Sequence, residues 1–589
     1  MAANRRKTDY GTVVLHTLLV ITFVIVTATG LRIATDDPET GWLLWFDFML
    51  PTNHLWFRHL WAGGSLTAVM AGYFWYSWRA RLLQRVRLDR SRIVAMLGPA
   101  PSRWAALGVL AYWVLIAGLL VEIVTGFAIF AGGGRGLMTL HRDAMFVCLA
   151  AIVAHVALHA LNGGLAQLLR IVTPGPLNLA PPPPDLAELL AEQIARNTAE
   201  TQAQRIDKPR EPQVLQANPF VTAIVVGIAV LGLAAMAEQT TRPQLRVVEI
   251  PNDMAPRLDG DLSDPAWARA RPVSVLTSQG GDFGGTYQSM VEIRALHDTD
   301  FVYFAFVWDD PTRSLMHQPL VKRKGQWRVA ASRSDLADEG RFNEDKFAVL
   351  LTPAGLPLIG AAIHLARAPL PDKPASPTGR GLHFTGGGVA DIWLWRASHE
   401  GAHGHIDNCH FGRPQATGGA DGGRESHYAG GFAPDPEAEL PYASNAVAVD
   451  RGDDTAVVPR RLPRDLAAMR AALGRLSDEP GHSESEGARW WMSTAESVPY
   501  SPERDAQIPD GTVLPGVIFD DDMRSTRYSI RGMARWAAGR WTLEVARRLN
   551  TGSRHDVAIK TGALLWVGAF DHSAKRHTRH LRPFRLEVD

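Results

Sequence analysis

One apolar segment with two histidines constrains this chain more than any other feature. It runs from Leu137 to Leu161 and contains His141 and His155, fourteen residues apart. On an α-helix this separation is about 21 Å and almost four turns, so both imidazoles lie on one face. Ionisable side chains within a membrane helix are costly and therefore indicate function. The pattern is typical of a four-helix bundle that holds two haems, one near each side of the hydrocarbon core; the structural alternative is a pair of hydrogen-bonded core histidines.

Four further apolar segments complete a set of five predicted membrane spans. They cover residues 10–34, about 54–78, about 104–130 and about 220–238. Six arginines between positions 79 and 92 follow the second span, and such a cluster marks the cytoplasmic side of a membrane. We therefore predict a multi-pass protein of the bacterial inner (cytoplasmic) membrane with a cytoplasmic N-terminus.

With this orientation, the histidines of three spans fall at two matched depths. His16 in the first span and His155 lie toward the cytoplasm, whereas His59 in the second span and His141 lie toward the periplasm. The pairs His59–His141 and His16–His155 therefore predict two b-type haems, each with two histidines as ligands to the haem iron. The rival histidines, five and four residues away from these choices, are His54 and His159.

The fold class that follows is multidomain. Residues 8–175 are predicted to form an all-α transmembrane four-helix bundle, and residues 176–217 a proline-rich cytoplasmic linker with a short helix near 185–204. One extra span, residues 218–239, returns the chain to the periplasm. Residues 242–589 are predicted to form an all-β sandwich on that side.

The strand predictions rest on β-rich runs separated by glycine and proline clusters. The clearest runs are Val302–Asp310, Arg540–Leu549 and Leu564–Asp571. Residues 399–510 are rich in Gly, Asp and Pro with weak periodicity, so we predict that they form long insertion loops on the sandwich.

Composition and missing motifs exclude several function classes. The net charge of +1 shows no basic excess, so no nucleic-acid partner is predicted. The two cysteines, Cys148 and Cys409, cannot form a disulfide framework, and Cys409-His410 is only the second half of the motif that attaches c-type haem. The β part has no phosphate loop, nucleophile elbow or HExxH zinc motif, and no catalytic residue is predicted.

The membrane half resembles a known family. His16, the stretch from His59 to Gly63 and the His141/His155 pair are similar to the dihaem cytochrome b subunits of nickel hydrogenases and formate dehydrogenases and to bacterial cytochrome b561 proteins. The resemblance covers about residues 8–175. It implies the haem pairing given above and a quinone site next to one haem.

The β half resembles the haem-binding γ subunit of ethylbenzene dehydrogenase and dimethyl-sulfide dehydrogenase, which is related to carbohydrate-binding and DOMON modules. The stretches that carry the resemblance, in this order along the chain, are residues 258–270, 302–320, 342–351, 388–397 and 569–586. The resemblance implies a β-sandwich that holds a third b haem.

In that family a methionine and a lysine bind the haem iron, and the matching positions here are Met316 and Lys575. This chain departs from the family pattern because it offers histidines at both places: His317 beside the methionine, and a set around the lysine that comprises His572, His577 and His580. A pair of two histidines, or of methionine and histidine, therefore competes with the methionine–lysine pair. Our prediction is His317 or Met316 with His577. The alternative for residues 572–580 is a solvated, hydrogen-bonding terminal strand.

These features predict a membrane-bound electron-transfer cytochrome of a respiratory chain. Electrons would pass between the quinone pool and a periplasmic redox partner, through two membrane haems and one haem in the sandwich. The family resemblance suggests a molybdoenzyme or a c-type cytochrome as that partner. The chain is then an electron-transfer subunit rather than a catalyst of substrate chemistry. The alternatives are a sandwich that binds and senses a ligand or carbohydrate on a dihaem anchor, and a self-contained haem oxidoreductase.

Overall fold

The computed structural model describes most of the membrane part and most of the β part. The described residues are 8–35, 38–51, 55–175, 218–330, 342–353, 390–399, 404–411, 432–437, 440–448, 456–473, 484, 488–521, 529–573 and 576–589. The predicted linker helix near residues 185–204 lies outside these ranges.

The N-terminal part is helical, as predicted. Its five longest described helices are α1 (Tyr10–Ala34), α2 (Leu55–Arg79), α3 (Ala100–Phe130), α4 (Arg135–Leu168) and α5 (Pro219–Thr240). Four of them, α1, α3, α4 and α5, are long and apolar enough to cross a membrane. Helix α2 has the same length as α1 but is less apolar, because it contains Arg58, His59 and several Gly, Tyr and Trp residues. The prediction of a helical membrane part followed by a β domain is confirmed.

Chain contacts divide the molecule into two compact units, and the boundary between them runs through the helices. The first unit comprises residues 1–27, 60–124 and 142–240, and the second comprises residues 28–59, 125–141 and 241–589. The second unit thus contains the β domain, residues 241–589, together with one end of each of the helices α1 to α4.

Small and polar residues hold the helices of the first unit together. An added Cβ at Gly72 of α2 would lie 2.8 Å from the carbonyl oxygen of Ala223 on α5, so only glycine permits this approach. Asp9 caps the start of α1 by accepting a hydrogen bond from the Thr12 N–H, and it also accepts one from the Tyr76 hydroxyl of α2. These contacts fix α2 against its two neighbours.

The β domain is built on one continuous sheet of twelve strands. The strands are β1 (Gln244–Glu249), β2 (Val273–Ser278), β3 (Gln288–His297), β4 (Phe301–Asp309), β5 (Lys346–Thr352), β6 (Ala390–Arg396), β7 (Asp407–Phe411), β8 (Phe432–Pro434), β9 (Ile530–Ala537), β10 (Arg540–Arg548), β11 (Leu564–Phe570) and β12 (Phe584–Val588). Their order is β8-β7-β6-β5-β11-β12-β1-β3-β4-β10-β9, and β2 pairs with β3. Strand β1 lies parallel to both of its neighbours, β12 and β3, and so joins the two halves of the sheet.

Aromatic side chains from the two halves pack against each other. Trp308 of β4 stacks on Phe347 of β5 with ring centres 4.5 Å apart, and Phe304 of β4 meets Trp393 of β6 at 5.7 Å. The predicted sandwich therefore has its core between the half around β4 and the half around β5. The many tryptophan side chains of this part of the chain form much of that core.

The prediction of insertion loops for residues 399–510 is wrong in part. Within this range β7 and β8 form the edge of the main sheet, and further short strands form smaller sheets. These smaller sheets contain strands from residues 399–510 and from the segments on either side of that range. The described strands are Leu320–Arg323, Gln326–Val329, Tyr442–Ser444, Ala446–Ala448, Ala456–Pro459, Arg461–Pro463, Trp491–Ser493, Ser497–Pro499, Val513–Leu514 and Val517–Phe519. Most are too short to show an alternating pattern in the sequence.

Candidate functional site

Two of the predicted ligands face each other in the second unit. His59 lies on α2 and His141 on α4, and their ring centres are 6.2 Å apart with the ring planes at 84°. With a metal–nitrogen bond of about 2 Å, as in histidine–zinc sites, two imidazoles bound to opposite sides of one ion have ring centres about 6 Å apart. The pair therefore fits a haem iron between the two rings.

Each of these histidines has a threonine at its second nitrogen. Thr29 Oγ1 lies 3.1 Å from His59 Nδ1, and Thr125 Oγ1 lies 2.8 Å from His141 Nδ1. Both threonines are buried. A histidine that binds a metal through Nε2 usually donates its Nδ1–H to a neighbouring acceptor, which fixes the tautomer and orients the ring. On both sides of the pair a threonine oxygen lies where it can accept such a bond.

A glycine makes room for one of the rings. An added Cβ at Gly126 on α3 would lie 3.3 Å from His141 Cε1, which is tighter than most contacts of a real side chain. Gly126 directly follows Thr125, so one turn of α3 provides both the hydroxyl partner and the space for the imidazole.

The second predicted pair lies in the first unit. The His16 ring packs edge-on against Tyr73 of α2, with ring centres 6.4 Å apart. His155 and His159 of α4 are in direct contact at 4.6 Å, and each is close enough to His16 to interact with it electrostatically. His155 Nδ1 is buried and has no hydrogen-bond partner among the described residues. The structure thus brings His16 near both histidines of α4, and His159 stays a rival of His155. The other rival, His54, lies outside the described residues.

Met316 and His317 follow strand β4 in the β domain and have different surroundings. Met316 is buried in the aromatic core. His317 is partly exposed, and its Nδ1 donates a hydrogen bond to Glu344 Oε2 over 2.5 Å. A carboxylate at one ring nitrogen is the partner that orients metal-bound histidines. His317 therefore has the contact expected of a ligand, which would bind through Nε2.

Glu344 is held in its ionised form by the cations around it. Burial opposes ionisation, but His317, Lys346 and Arg396 outweigh it and hold the pKa of this carboxyl well below its usual range. Arg396 Nη1 lies 3.2 Å from Glu344 Oε1, and Lys346 Nζ lies 4.0 Å from the same oxygen.

The three histidines around Lys575 are not equivalent. His580 is buried; its Nε2 accepts a hydrogen bond from the Val567 N–H and its Nδ1 donates to the Arg582 carbonyl, so both nitrogens serve the fold. His577 is half-buried, with Nδ1 2.9 Å from the Thr578 carbonyl oxygen and its ring 5.0 Å from that of Phe570. The segment is largely buried and does not form the solvated terminal strand considered as an alternative.

His572 forms a buried ion pair instead. Its Nδ1 donates to Asp571 Oδ1 over 2.5 Å. Burial lowers the pKa of this imidazole, but the hydrogen bond and charge of Asp571, assisted by Asp345 and Asp282, raise it to about 9. His572 is therefore a charged structural residue. Lys575 lies outside the described residues, so the methionine–lysine pair stays a prediction.

The two ligand segments of the β domain meet at one end of neighbouring strands. Lys346, at the start of β5, pairs with Phe570, at the end of β11. Lys346 Nζ donates to the Ser573 carbonyl over 2.9 Å and lies over the Phe570 ring. His317 is thus linked through Glu344 and Lys346 to the segment that contains His577, although no direct contact between the two histidines is described.

Within the second unit, residues of the β domain contact the first turns of α2 and α4. The Arg579 guanidinium lies 5.2 Å from the ring centre of Trp56, the second residue of α2. The Arg135 guanidinium, at the start of α4, lies 3.8 Å from the ring centre of Tyr287. Trp56 is one turn before His59, and Arg579 is two residues after His577. The two groups of candidate ligands in this unit are therefore connected by direct packing.

Sequence reasoning identified the histidines but missed their partners. Thr29, Thr125 and Glu344 orient rings that were predicted from spacing. Thr29 and Thr125 are polar residues within apolar helices, a recognised signal of function, but nothing in the sequence indicates which threonine faces a histidine on another helix. Glu344 lies in the stretch 342–351, where an ion pair with Lys346 is the simpler interpretation.

Comparison with protein families gives two matches. The family model described as "Ethylbenzene dehydrogenase" matches residues 264–582, more than half of the chain, and the model described as "Prokaryotic cytochrome b561" matches residues 7–175. The first match includes the Met316–His317 and 569–582 segments, and the second includes all four predicted membrane ligands. No curated protein matches the chain.

Two solved structures of carbohydrate-binding proteins align with part of the chain. One is a family 9 carbohydrate-binding module from Caldicellulosiruptor kristjanssonii in complex with glucose, with 7% identity, a TM-score of 0.21, and coverage of 59% of this chain and 95% of the module. The other is a putative carbohydrate-binding protein from Bacteroides uniformis, also with 7% identity and a TM-score of 0.21, covered over 100% of its length. At these scores the likeness supports no inference about a ligand.

Proposed function

Because this chain belongs to the ethylbenzene dehydrogenase family and carries a prokaryotic cytochrome b561 domain at its N-terminus, we propose that it passes electrons between the quinone pool and a periplasmic redox partner. The b561 family binds b haems and transfers electrons in membranes.

The geometry of His59 and His141 carries this proposal. Opposed rings at the separation expected for one metal ion, each with a threonine at Nδ1, are what a haem site with two histidine ligands requires. A bound haem would supply a one-electron carrier. The protein would contribute two neutral imidazoles, two hydrogen-bond partners that set their basicity, and an apolar surrounding that excludes water.

A second membrane haem is assigned to His16 and His155, with His159 as the alternative partner. The closeness of His16 to both histidines of α4 supports this assignment. A third haem in the β domain is assigned to His317 and His577, with Met316 as the alternative to His317. The carboxylate behind His317 favours the histidine.

The packing between the 576–582 segment and Trp56 supports electron transfer between the third haem and the His59–His141 haem. The arginine cluster after α2 supports a cytoplasmic N-terminus and a periplasmic β domain. There the β domain would meet its redox partner, for which a molybdoenzyme or a c-type cytochrome is the candidate. Quinone would react beside one of the membrane haems.

Haem counting on single variants tests the assignment. The full chain, purified in detergent, should contain three non-covalent b haems by pyridine haemochrome and protein assay. Replacing His59 or His141 by alanine should each remove the same haem, and the double variant should lose no more than either single variant. A histidine whose ring nitrogens serve only the fold offers the control: His580→Asn should weaken folding without removing one particular haem.

The remaining ligands are separated in the same way. His155→Ala and His159→Ala distinguish the two partners of His16, and His317→Ala, Met316→Leu and His577→Ala distinguish the ligands of the third haem. A wild-type protein with only two haems, both lost through membrane variants, would contradict the relay and leave the β domain as a binding module on a dihaem anchor.

A further inference from the structure

A second cluster of metal-ligating side chains lies at the edge of the main sheet, outside the residues assigned to haem. His410 lies on β7, Asp435 directly follows β8, and His555 lies in the connection between β10 and β11. One ligand atom from each residue lies within 4.8 Å of the others. Three segments that are distant in sequence thus bring two imidazoles and a carboxylate to one point.

The contacts within the cluster are close. His410 Nδ1 lies 2.7 Å from Asp435 Oδ1, and the His410 and His555 rings have centres 4.2 Å apart. Neutral imidazole is the form that binds metals.

Two buried oxygen atoms in the cluster have no donor. Asp435 Oδ2 and Asn408 Oδ1 have no hydrogen-bond partner among the described residues, and both residues are more than nine-tenths buried. Asn408 uses its Nδ2 to donate to Asp556 Oδ1 over 3.0 Å. A buried carboxylate oxygen without a donor is costly, so this atom indicates a ligand that the side chains do not supply.

The charges point the same way. Arg547 is fully buried and pairs with two acids: its Nη1 lies 2.8 Å from Asp391 Oδ2, and its Nη2 lies 3.2 Å from Asp556 Oδ2. Asp435 adds a third buried carboxylate, close enough to Asp556 for the two to perturb each other. Arg554, the second guanidinium of this group, donates through Nε to His555 Nε2 over 2.9 Å, so two guanidinium groups face three acids among the described residues. A divalent cation would remove the imbalance.

We propose that His410, Asp435 and His555 bind a divalent transition metal ion of the zinc class. Imidazole and carboxylate together suit such an ion, whereas calcium and magnesium prefer oxygen ligands alone. Asp556 is the candidate for the fourth position, because its carboxylate already approaches that of Asp435. Four-coordinate sites of this kind are structural. The ion would tie the β10–β11 connection to the β7–β8 edge of the sheet.

Metal binding by the full chain in detergent tests the site. The protein is stripped with EDTA and dialysed against Zn²⁺, and zinc and haem iron are then measured separately per chain. We expect one zinc per wild-type chain. We expect His555→Gln and Asp435→Asn to weaken binding by more than about tenfold, while the exposed-acid control Asp253→Asn binds as wild type. Cobalt(II) in place of zinc should give the visible absorption of a four-coordinate site only in chains that bind zinc.

A stability measurement complements the binding data. In the full chain in detergent, zinc should raise the Tm of the wild type by several degrees, and it should have no such effect on His555→Gln. His555 is in a partly exposed connection, so this variant is suitable even if Asp435→Asn fails to fold. Absence of stoichiometric zinc in the wild type would overturn the proposal. Unchanged zinc affinity in His555→Gln would also overturn it, because the ion would then lie elsewhere.

Discussion

Removal of the Thr125 hydroxyl should raise the midpoint potential of one membrane haem. In the structure this hydroxyl lies 2.8 Å from His141 Nδ1, and Thr125 is buried. An Nδ1–H that donates to it makes the imidazole a more basic ligand, which favours ferric over ferrous iron. In Thr125→Val the ring keeps its place beside an isosteric side chain but loses its acceptor. The ferric state is therefore destabilised.

The hydrogen-bond strength sets the size of the shift. A net contribution of about 0.5–1.5 kcal/mol, expressed wholly in one redox state, corresponds to about 20–65 mV, since about 59 mV is a tenfold change for one electron. Thr29 lies farther from its histidine, at 3.1 Å, so Thr29→Val should shift the same haem in the same direction by less. Thr125→Ser keeps the hydroxyl and should restore most of the wild-type potential.

Spectroscopic redox titration of the full chain measures this effect haem by haem. The matched control is Thr22→Val, because the Thr22 hydroxyl is exposed and donates to the Leu18 carbonyl of its own helix. Haem content must be determined for each variant, so that a lost haem is not mistaken for a shifted one. If Thr125→Val retains all haems at unchanged potentials, or if Thr22→Val shifts them equally, the assigned role of Thr125 is refuted.

Three further predictions concern burial, protonation and space. Arg547→Met leaves Asp391 buried without its cation and should cost about 3–5 kcal/mol of unfolding free energy by chemical denaturation, part of which Arg547→Met combined with Asp391→Leu should recover. Asp571 raises the pKa of His572 from 6.5 to about 9, so the stabilising effect of the protonated imidazole is complete below pH 6.5 and is lost as the pH rises to about 9. Unfolding measured as a function of pH should show a loss of at most about 3 kcal/mol of unfolding free energy over this window. His572→Gln should flatten this pH dependence. Gly126→Val should lower haem content, measured by pyridine haemochrome, because its side chain would displace the adjacent imidazole.

The helices could be predicted from the sequence because membrane burial leaves a simple signal. The predicted first span coincides with α1, and the fifth differs from α5 by one or two residues at each end. Pairing His59 with His141 required only spacing and orientation. The threonines that orient these rings could not be found in this way, because the rotation of α1 and α3 about their axes decides which polar residue faces a neighbouring helix.

The sheet edges were harder to predict, for a physical reason. Strand β7 has the sequence DNCHF, and four of its five residues are buried, so it shows no alternation between apolar and polar positions. Its polar residues are tolerated because other segments provide their partners: Asp407 binds Arg396, and Asn408 binds Asp556. A short, polar and wholly buried strand has the composition of a loop, which explains the wrong prediction for part of residues 399–510.

The same strand shows why residue order alone assigns no role to His410. In sequence, Cys409 and His410 form half of a c-type haem motif. On a strand, however, successive side chains point to opposite faces, so the thiol and the imidazole of β7 cannot serve one haem edge together. Cys409 is buried opposite Ile392 of β6, and burial raises the pKa of its thiol, which keeps it protonated and unreactive. His410, on the other face, meets Asp435 and His555 instead. The chemistry of this histidine therefore depends on residues brought to it by sheet pairing and by the β10–β11 connection, and zinc binding by the full chain is the property that distinguishes the two interpretations.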